Sequence, residues 1–270
     1  MDAHSKQDLA AEVAAHLSRV VDATPLEHKP FDHLVLTDPL PPALYSSFLA
    51  KLPTDEFYRP LHHSDAMLPD GRSARLQFPL IASNIRRLPD SSRTFWAAVT
   101  AGLHSPVVLD AYRRKFAGVL SRVRQKPVEH VRLRPYTTLF RDLGGYKISI
   151  HPDSPRKAVT TQFYLPQDDS QQHLGTLFHA READSSFRLA RAMRFAPNSG
   201  YAFAVTPHSY HSVAAMQNGD RPRNSLMIII NYDRGSVIET IKTTQKHARA
   251  VYDSLRGRRR PEGGEGRYEM

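Results

Sequence analysis

The sequence predicts an α+β chain that is mainly β at its core: helices first, then a single antiparallel sandwich or barrel, then one closing helix. Three observations carry this. Residues 5–22 place Leu9, Val13, Leu17, Val20 and Val21 at helical spacing. After Lys126 the texture changes to short β-rich runs separated by turn signals such as DLGG, NSG and QNGD. From Val237 to Leu255 helical spacing returns through Val237, Ile238, Ile241, Val251 and Leu255.

The elements follow in order. His33–Leu36 reads as a short strand, and Pro41 and Pro42 open a helix. Residues 53–90 are rich in Pro, Asp, His and Arg and read as loops around another short strand. Helices are expected near Ser91–Leu103 and Pro106–Val123. Strands are expected at Val128–Phe140, Lys147–His151, Val159–Leu165, Leu174–Phe178, Met193–Phe195, Gly200–Val205, His211–Ala215 and Ser225–Tyr232. No internal repeat or linker interrupts them. The economical reading is one domain over 1–255. It has a helical N-terminal region (1–126), a β-core (127–233) and a helix (235–255), and a disordered basic tail (256–270) follows it.

Composition removes several function classes. The 270 residues are 40% hydrophobic and 24% charged, a globular balance able to bury a core. There is no cysteine, so any metal site must use His, Asp and Glu. The N-terminus lacks a basic start before an apolar block, and LMIII (Leu226–Ile230) is far too short to span a bilayer, so a soluble cytoplasmic protein is expected. The net charge of +10 suits anionic partners, but no nucleic-acid motif accompanies it. Solubility and a charged tail account for it, and the sequence is silent on oligomeric state.

The chemistry concentrates in HPDSPRKAVTTQFYLP, residues 151–166, and in TPHSYHSV, residues 206–213. Side chains at i and i+2 on an extended chain share a side, which puts His151 with Asp153. With His211 they form two imidazoles and one carboxylate, the donor set that occupies one face of Fe(II) and leaves positions open for a bidentate co-substrate and O2. A 2-oxoglutarate co-substrate also needs its distal carboxylate held. Arg223 in RNSLMIIINY offers a matching fork of donors and shares parity with Ser225. Thr160, Gln162 and Tyr164 alternate onto one face of their strand, where polar atoms are costly unless a ligand uses them.

These pieces resemble the Fe(II)/2-oxoglutarate-dependent dioxygenase superfamily, in its prolyl-4-hydroxylase-like branch. The resemblance lies in GYKISIHPDSPRKAVTTQFYLP, LGTLF, FAPNSGYAFAV, HSYHSV and RNSLMIIINY, in the family's order from Gly145 to Tyr232. It implies a double-stranded β-helix (jelly roll), with iron on His151, Asp153 and His211. It also implies Arg223, Ser225 and Tyr164 at the C5 carboxylate of 2-oxoglutarate. The family's arginine usually lies slightly nearer the distal histidine, so Arg221 stands as the alternative to Arg223.

Other histidines compete. His63-Ser64-Asp65 repeats the His-x-Asp spacing but runs into a turn and reads as a surface or lid loop. His208 reads as a loop residue near the mouth, and His173 and His179 as exposed or strand-capping. Trp96 reads as packed core. Arg132, Arg134 and Tyr136 share a strand face that suits either substrate or solvent, and Arg156 and Lys157 suit an anionic substrate group or solvent. The expected activity is hydroxylation of an unactivated C–H bond in an anionic or sugar-like small molecule, with release of succinate and CO2. Protein or peptide hydroxylation, a non-catalytic metal- or sugar-binding jelly roll, and nucleic-acid demethylation are the alternatives.

Overall fold

A computed structural model of the chain describes residues 3–217 and 219–233. The helix expected at 235–255 and the tail at 256–270 lie outside the described residues. The N-terminal region runs α1 (Ala3–Ala23), β1 (His33–Thr37), α2 (Tyr45–Ala50), β2 (Arg59–Pro60), β3 (Arg75–Pro79), α3 (Ala82–Ile85), α4 (Asp90–Leu103), α5 (Pro106–Lys115) and α6 (Ala117–Arg124). The remainder is β4 (Leu133–Asp142), β5 (Ile148–His151), β6 (Lys157–Tyr164), β7 (Thr176–Arg181), β8 (Phe187–Ala192), β9 (Ser199–Ala204), β10 (His211–Val213) and β11 (Arg223–Tyr232).

Helical spacing in α1 becomes burial: Leu9, Val13, Leu17 and Val21 all leave water, each worth about 1.5–3 kcal/mol. They pack on α4 and α5. At the α1–α4 crossing a Cβ on Gly102 would sit 2.5 Å from the carbonyl oxygen of Ala10, so glycine sets how closely the two helices approach. Trp96 on α4 is fully buried against Phe48 and Phe95, and its indole N–H donates to the Lys51 carbonyl. The single helix expected over Pro106–Val123 is two. Its backbone leaves helical geometry at Phe116 (φ −103°, ψ 21°), whose side chain turns into the core.

The strands form two antiparallel sheets that do not close into a barrel. The larger has the order β1-β9-β6-β11-β4-β3-β2 and the smaller β5-β10-β7-β8. This is the mainly-β core expected from the sequence, widened at both edges of the large sheet by strands of the N-terminal region. Pro135 lacks an amide hydrogen, yet β4 lies inside the sheet. It is tolerated because β3 pairs only with Thr138–Asp142 and leaves Pro135 beyond its end.

Alternation along β11 sorts the two faces. Leu226, Ile228 and Ile230 point to the helices and join the cluster holding Leu17, Trp96 and Tyr112. Arg223, Ser225, Met227 and Ile229 point the other way, toward the small sheet. A second cluster, including Phe178, Phe195, Tyr201 and Phe203, fills the space between the sheets. One strand lies elsewhere than the sequence predicts. Phe187–Ala192 pairs with β7, whereas Met193–Phe195 lies outside any ladder, with Met193 and Phe195 buried. The edge strand β8 is exposed along almost its whole length and carries Arg188 and Arg191, so it lacks the apolar alternation that marks a strand in sequence.

Candidate active site

The site is built where the ends of β5, β6 and β10 meet the inner face of the large sheet. His151 and His211 are direct partners across β5 and β10, with ring centroids 4.4 Å apart. Asp153 follows β5 by two residues. The three side chains each offer one ligand atom, and those atoms lie within 4.8 Å of one another. Among the described residues this is the one His/Asp/Glu group so arranged. Each histidine donates its Nδ1–H to a backbone carbonyl, His151 to Ser149 at 2.8 Å and His211 to Ser209 at 3.0 Å. A carbonyl can only accept, so the tautomer is fixed and each Nε2 keeps its lone pair for a metal.

The electrostatics leave both Asp153 and His211 in ligand form. Burial pushes the Asp153 carboxyl up, but Lys157 foremost, with His211 and Thr160, outweighs it and holds the pKa at about 2. Burial pushes the His211 imidazolium down to about 4, against the pull of Asp153. Near neutral pH Asp153 is therefore charged and His211 neutral, so neither need lose a proton to bind a cation. The donor chemistry and spacing fit Fe(II).

Asp153 is clamped on both oxygens. Lys157 Nζ donates to Oδ1 at 2.5 Å and Thr160 Oγ1 to Oδ2 at 2.5 Å. A metal taking Oδ1 must therefore displace a lysine. Lys157→Met is expected to tighten divalent-metal affinity about tenfold, since a partly exposed cation close by repels a dication by about 1 kcal/mol or more. Mn(II) titration followed by calorimetry measures this. Weaker binding in the variant would instead make Lys157 the group that orients the carboxylate.

A cavity of about 170 Å³ runs from this group along the inner face of the large sheet. Thr160, Gln162, Met227 and Ile229 line it, and Arg223 and Arg75 line its far end. Arg223 is fully buried. Its Nε donates to the Leu174 carbonyl at 2.6 Å, its Nη1 to Asp142 Oδ2 at 2.6 Å, and its Nη2 to Thr176 Oγ1 at 3.4 Å. Burial would lower its pKa, but Asp142, together with Tyr164, Tyr201 and Tyr146, more than compensates and holds the guanidinium charged.

Ser225 and Tyr164 sit beside the cavity without lining it. Ser225 Oγ accepts from Gln162 Nε2 at 2.8 Å, and the Tyr164 hydroxyl donates to Thr176 Oγ1 at 3.0 Å and accepts from the Thr176 amide. Gln162 Oε1 in turn accepts from Tyr201 at 2.8 Å. The polar face of β6 is thus a satisfied network reaching the cavity through Thr160 and Gln162.

Arg221, the alternative to Arg223, is exposed and pairs with Asp168 and Ser170 beside a different cavity. His63 is exposed just before a short 3-10 helix (Ser64–Ala66), His208 is exposed in a turn, and His173 meets Asp220 at the surface. His179 differs from its expected exposure. It is buried at 7%, with Nε2 2.8 Å from Ser212 Oγ, because β7 lies between β8 and β10.

Tyr136 and Arg134 lie on the cavity face, opposite Ile229 and Asn231, and both are exposed. Arg156 is exposed in the turn before β6. Sequence reasoning misses Arg75, Tyr146 and Tyr201, which line the cavity, and Asp142, which bridges two of its arginines.

No family model matches the chain, and no curated protein matches it. Solved structures do. A prolyl-4-hydroxylase of Pseudomonas putida is 15% identical at a TM-score of 0.48, the match covering 80% of this chain and 99% of that one. A 2OG-Fe(II) oxygenase family oxidoreductase of Burkholderia pseudomallei is 13% identical at a TM-score of 0.46, over 84% and 91% of the two chains. EvdO2 of Micromonospora carbonacea var. aurantiaca, solved with 2-oxoglutarate, is 11% identical at a TM-score of 0.41, over 86% and 91%. These are likenesses of fold; the functional reading rests on the atoms of the site.

Proposed function

We propose that the protein is an Fe(II)/2-oxoglutarate-dependent dioxygenase that hydroxylates an unactivated C–H bond of a small molecule, releasing succinate and CO2. One observation carries this: a His-Asp-His group with two fixed Nε2 lone pairs and a charged carboxylate opens onto a cavity whose other end is cationic. A purely structural metal site has no use for buried arginines at such a distance from it. A keto-diacid has use for both ends.

In this reading His151, Asp153 and His211 hold the iron, and the iron with 2-oxoglutarate and O2 supplies the oxidising power. The chain supplies placement. Arg223 marks the distal carboxylate end, with Ser225 and Tyr164 steadying its neighbours through Gln162 and Thr176. Thr160 donates to Oδ2 of Asp153 and would help orient the carboxylate toward a bound ion. Met227 and Ile229 keep the walls apolar and limit water near the reacting centre. Tyr136 and Arg134 stand on the same face toward the outer end, where an anionic or hydroxylated substrate would meet them, and Arg156 immediately precedes the clamping lysine. Lys157 itself lines the cavity and belongs to the clamp on Asp153. Many surface arginines are already paired, among them Arg72–Asp70, Arg114–Asp22 and Arg188–Glu182, which favours a small molecule over a nucleic-acid backbone.

The test is release of succinate from 2-oxoglutarate with Fe(II) and O2 against a panel of metabolites, with His151→Ala as the blank. Wild type is expected to turn over 2-oxoglutarate slowly alone and faster with the correct substrate, and the variant not at all. Equal iron bound by both proteins overturns the assignment.

A further inference from the structure

Arg75, Asp142 and Arg223 stand in one row across three neighbouring strands, β3, β4 and β11, each opposite the next. They are 8%, 0% and 0% exposed. Asp142 Oδ2 accepts from Arg223, and its Oδ1 lies 3.2 Å from Arg75 Nε, too poorly aligned for a hydrogen bond. Arg75 Nη1 contacts the Tyr146 hydroxyl, and its guanidinium lies over the Phe140 ring, 3.9 Å from the centroid. Tyrosine and phenylalanine bring no negative charge. Asp153, the carboxylate that lines the cavity, is matched by Lys157.

Two guanidinium groups therefore share one carboxylate inside the protein, leaving one positive charge in excess. Arg223 is committed to Leu174, Asp142 and Thr176. Arg75 is nine-tenths buried, lines the cavity, and has an Nε with no hydrogen-bond partner. A buried unmatched charge is costly unless an anion completes it.

We propose that Arg75 is the cation left over for the ligand: it binds the distal carboxylate of the keto acid beside Arg223, so that the pocket selects a keto acid with a second carboxylate over one without. This rests on reading the cavity as a 2-oxoglutarate site, and the experiment separates the two.

The full chain loaded with Mn(II) is titrated with 2-oxoglutarate and, separately, with 2-oxobutyrate, which keeps the keto acid and lacks the distal carboxylate. Wild type should prefer 2-oxoglutarate. Arg75→Gln should lose on the order of 100-fold in 2-oxoglutarate affinity, the scale of a lost hydrogen-bonded charge contact, and bind 2-oxobutyrate unchanged. Arg75→Lys should fall between.

The thermal midpoint of the ligand-free protein provides the second readout. Removing surplus charge should leave it unchanged or raise it in Arg75→Gln, while the upward shift caused by 2-oxoglutarate disappears. If Arg75→Gln binds both keto acids as wild type does, Arg75 has no ligand role. A lower ligand-free midpoint with both affinities equally weakened makes it a structural partner of Asp142 and overturns the proposal. Wild type that binds Mn(II) but neither keto acid overturns the 2-oxoglutarate reading itself.

Discussion

Asp153→Ala is expected to weaken divalent-metal binding by more than about 100-fold, beyond what losing an outer-shell partner does, and to reduce 2-oxoglutarate turnover to background. The carboxylate is the negative member of the donor group, and its pKa of about 2 keeps it charged wherever the protein is assayed. Without it only the two imidazoles face a dication, beside the Lys157 ammonium. The fold should survive, because Lys157 is partly exposed and can turn to water, although Thr160 loses its acceptor. Calorimetric titration with Mn(II), with circular dichroism to confirm folding, reads both effects. His211→Ala should show the same metal loss with a larger stability cost, since its ring is buried and packs 4.9 Å from Phe203. A folded Asp153→Ala protein that binds Mn(II) like wild type would remove this group from the metal reading.

How much of this is legible in sequence depends on how far apart the cooperating residues lie. His151 and Asp153 are two apart, and extended geometry alone puts them on one side. His211 can be singled out because its surroundings HSYHSV and the later Arg-x-Ser follow a fixed order. The polar alternation of Thr160 and Gln162 also survives as cavity lining. Arg75 is invisible. It sits in the loop-rich stretch 53–90 without a motif, and its partner Asp142 reads as the first residue of the turn DLGG. The two meet only because β3 adds to the edge of β4, a pairing of residues 67 positions apart that no local pattern encodes. Burial of Asp142 and Arg223 at 0% is likewise a property of the assembled sheet. The parity of Arg75 with Gln77 in RLQFP is the one available hint that a charged side chain faces inward.

Asp142→Asn is expected to cost about 3–5 kcal/mol of stability, the usual consequence of breaking a buried ion pair by removing one partner. The substitution keeps size and shape, so the loss is electrostatic. Arg75 and Arg223 would then face each other in a dry interior with no carboxylate between them, while Leu174 and Thr176 offer only neutral acceptors. Urea unfolding gives the magnitude. A double-mutant cycle with Arg75→Gln gives the cause. In the Asp142→Asn background, losing Arg75 removes one of two uncompensated cations, so Asp142→Asn/Arg75→Gln should recover a substantial fraction of the lost stability rather than add to it. Neighbouring groups in one charge network commonly couple by about 0.5–3 kcal/mol, within reach of the measurement. If Asp142→Asn costs less than about 1 kcal/mol, or the two changes simply add, the three residues do not act as one buried charge row. An excess positive charge at the end of the cavity would then have no basis.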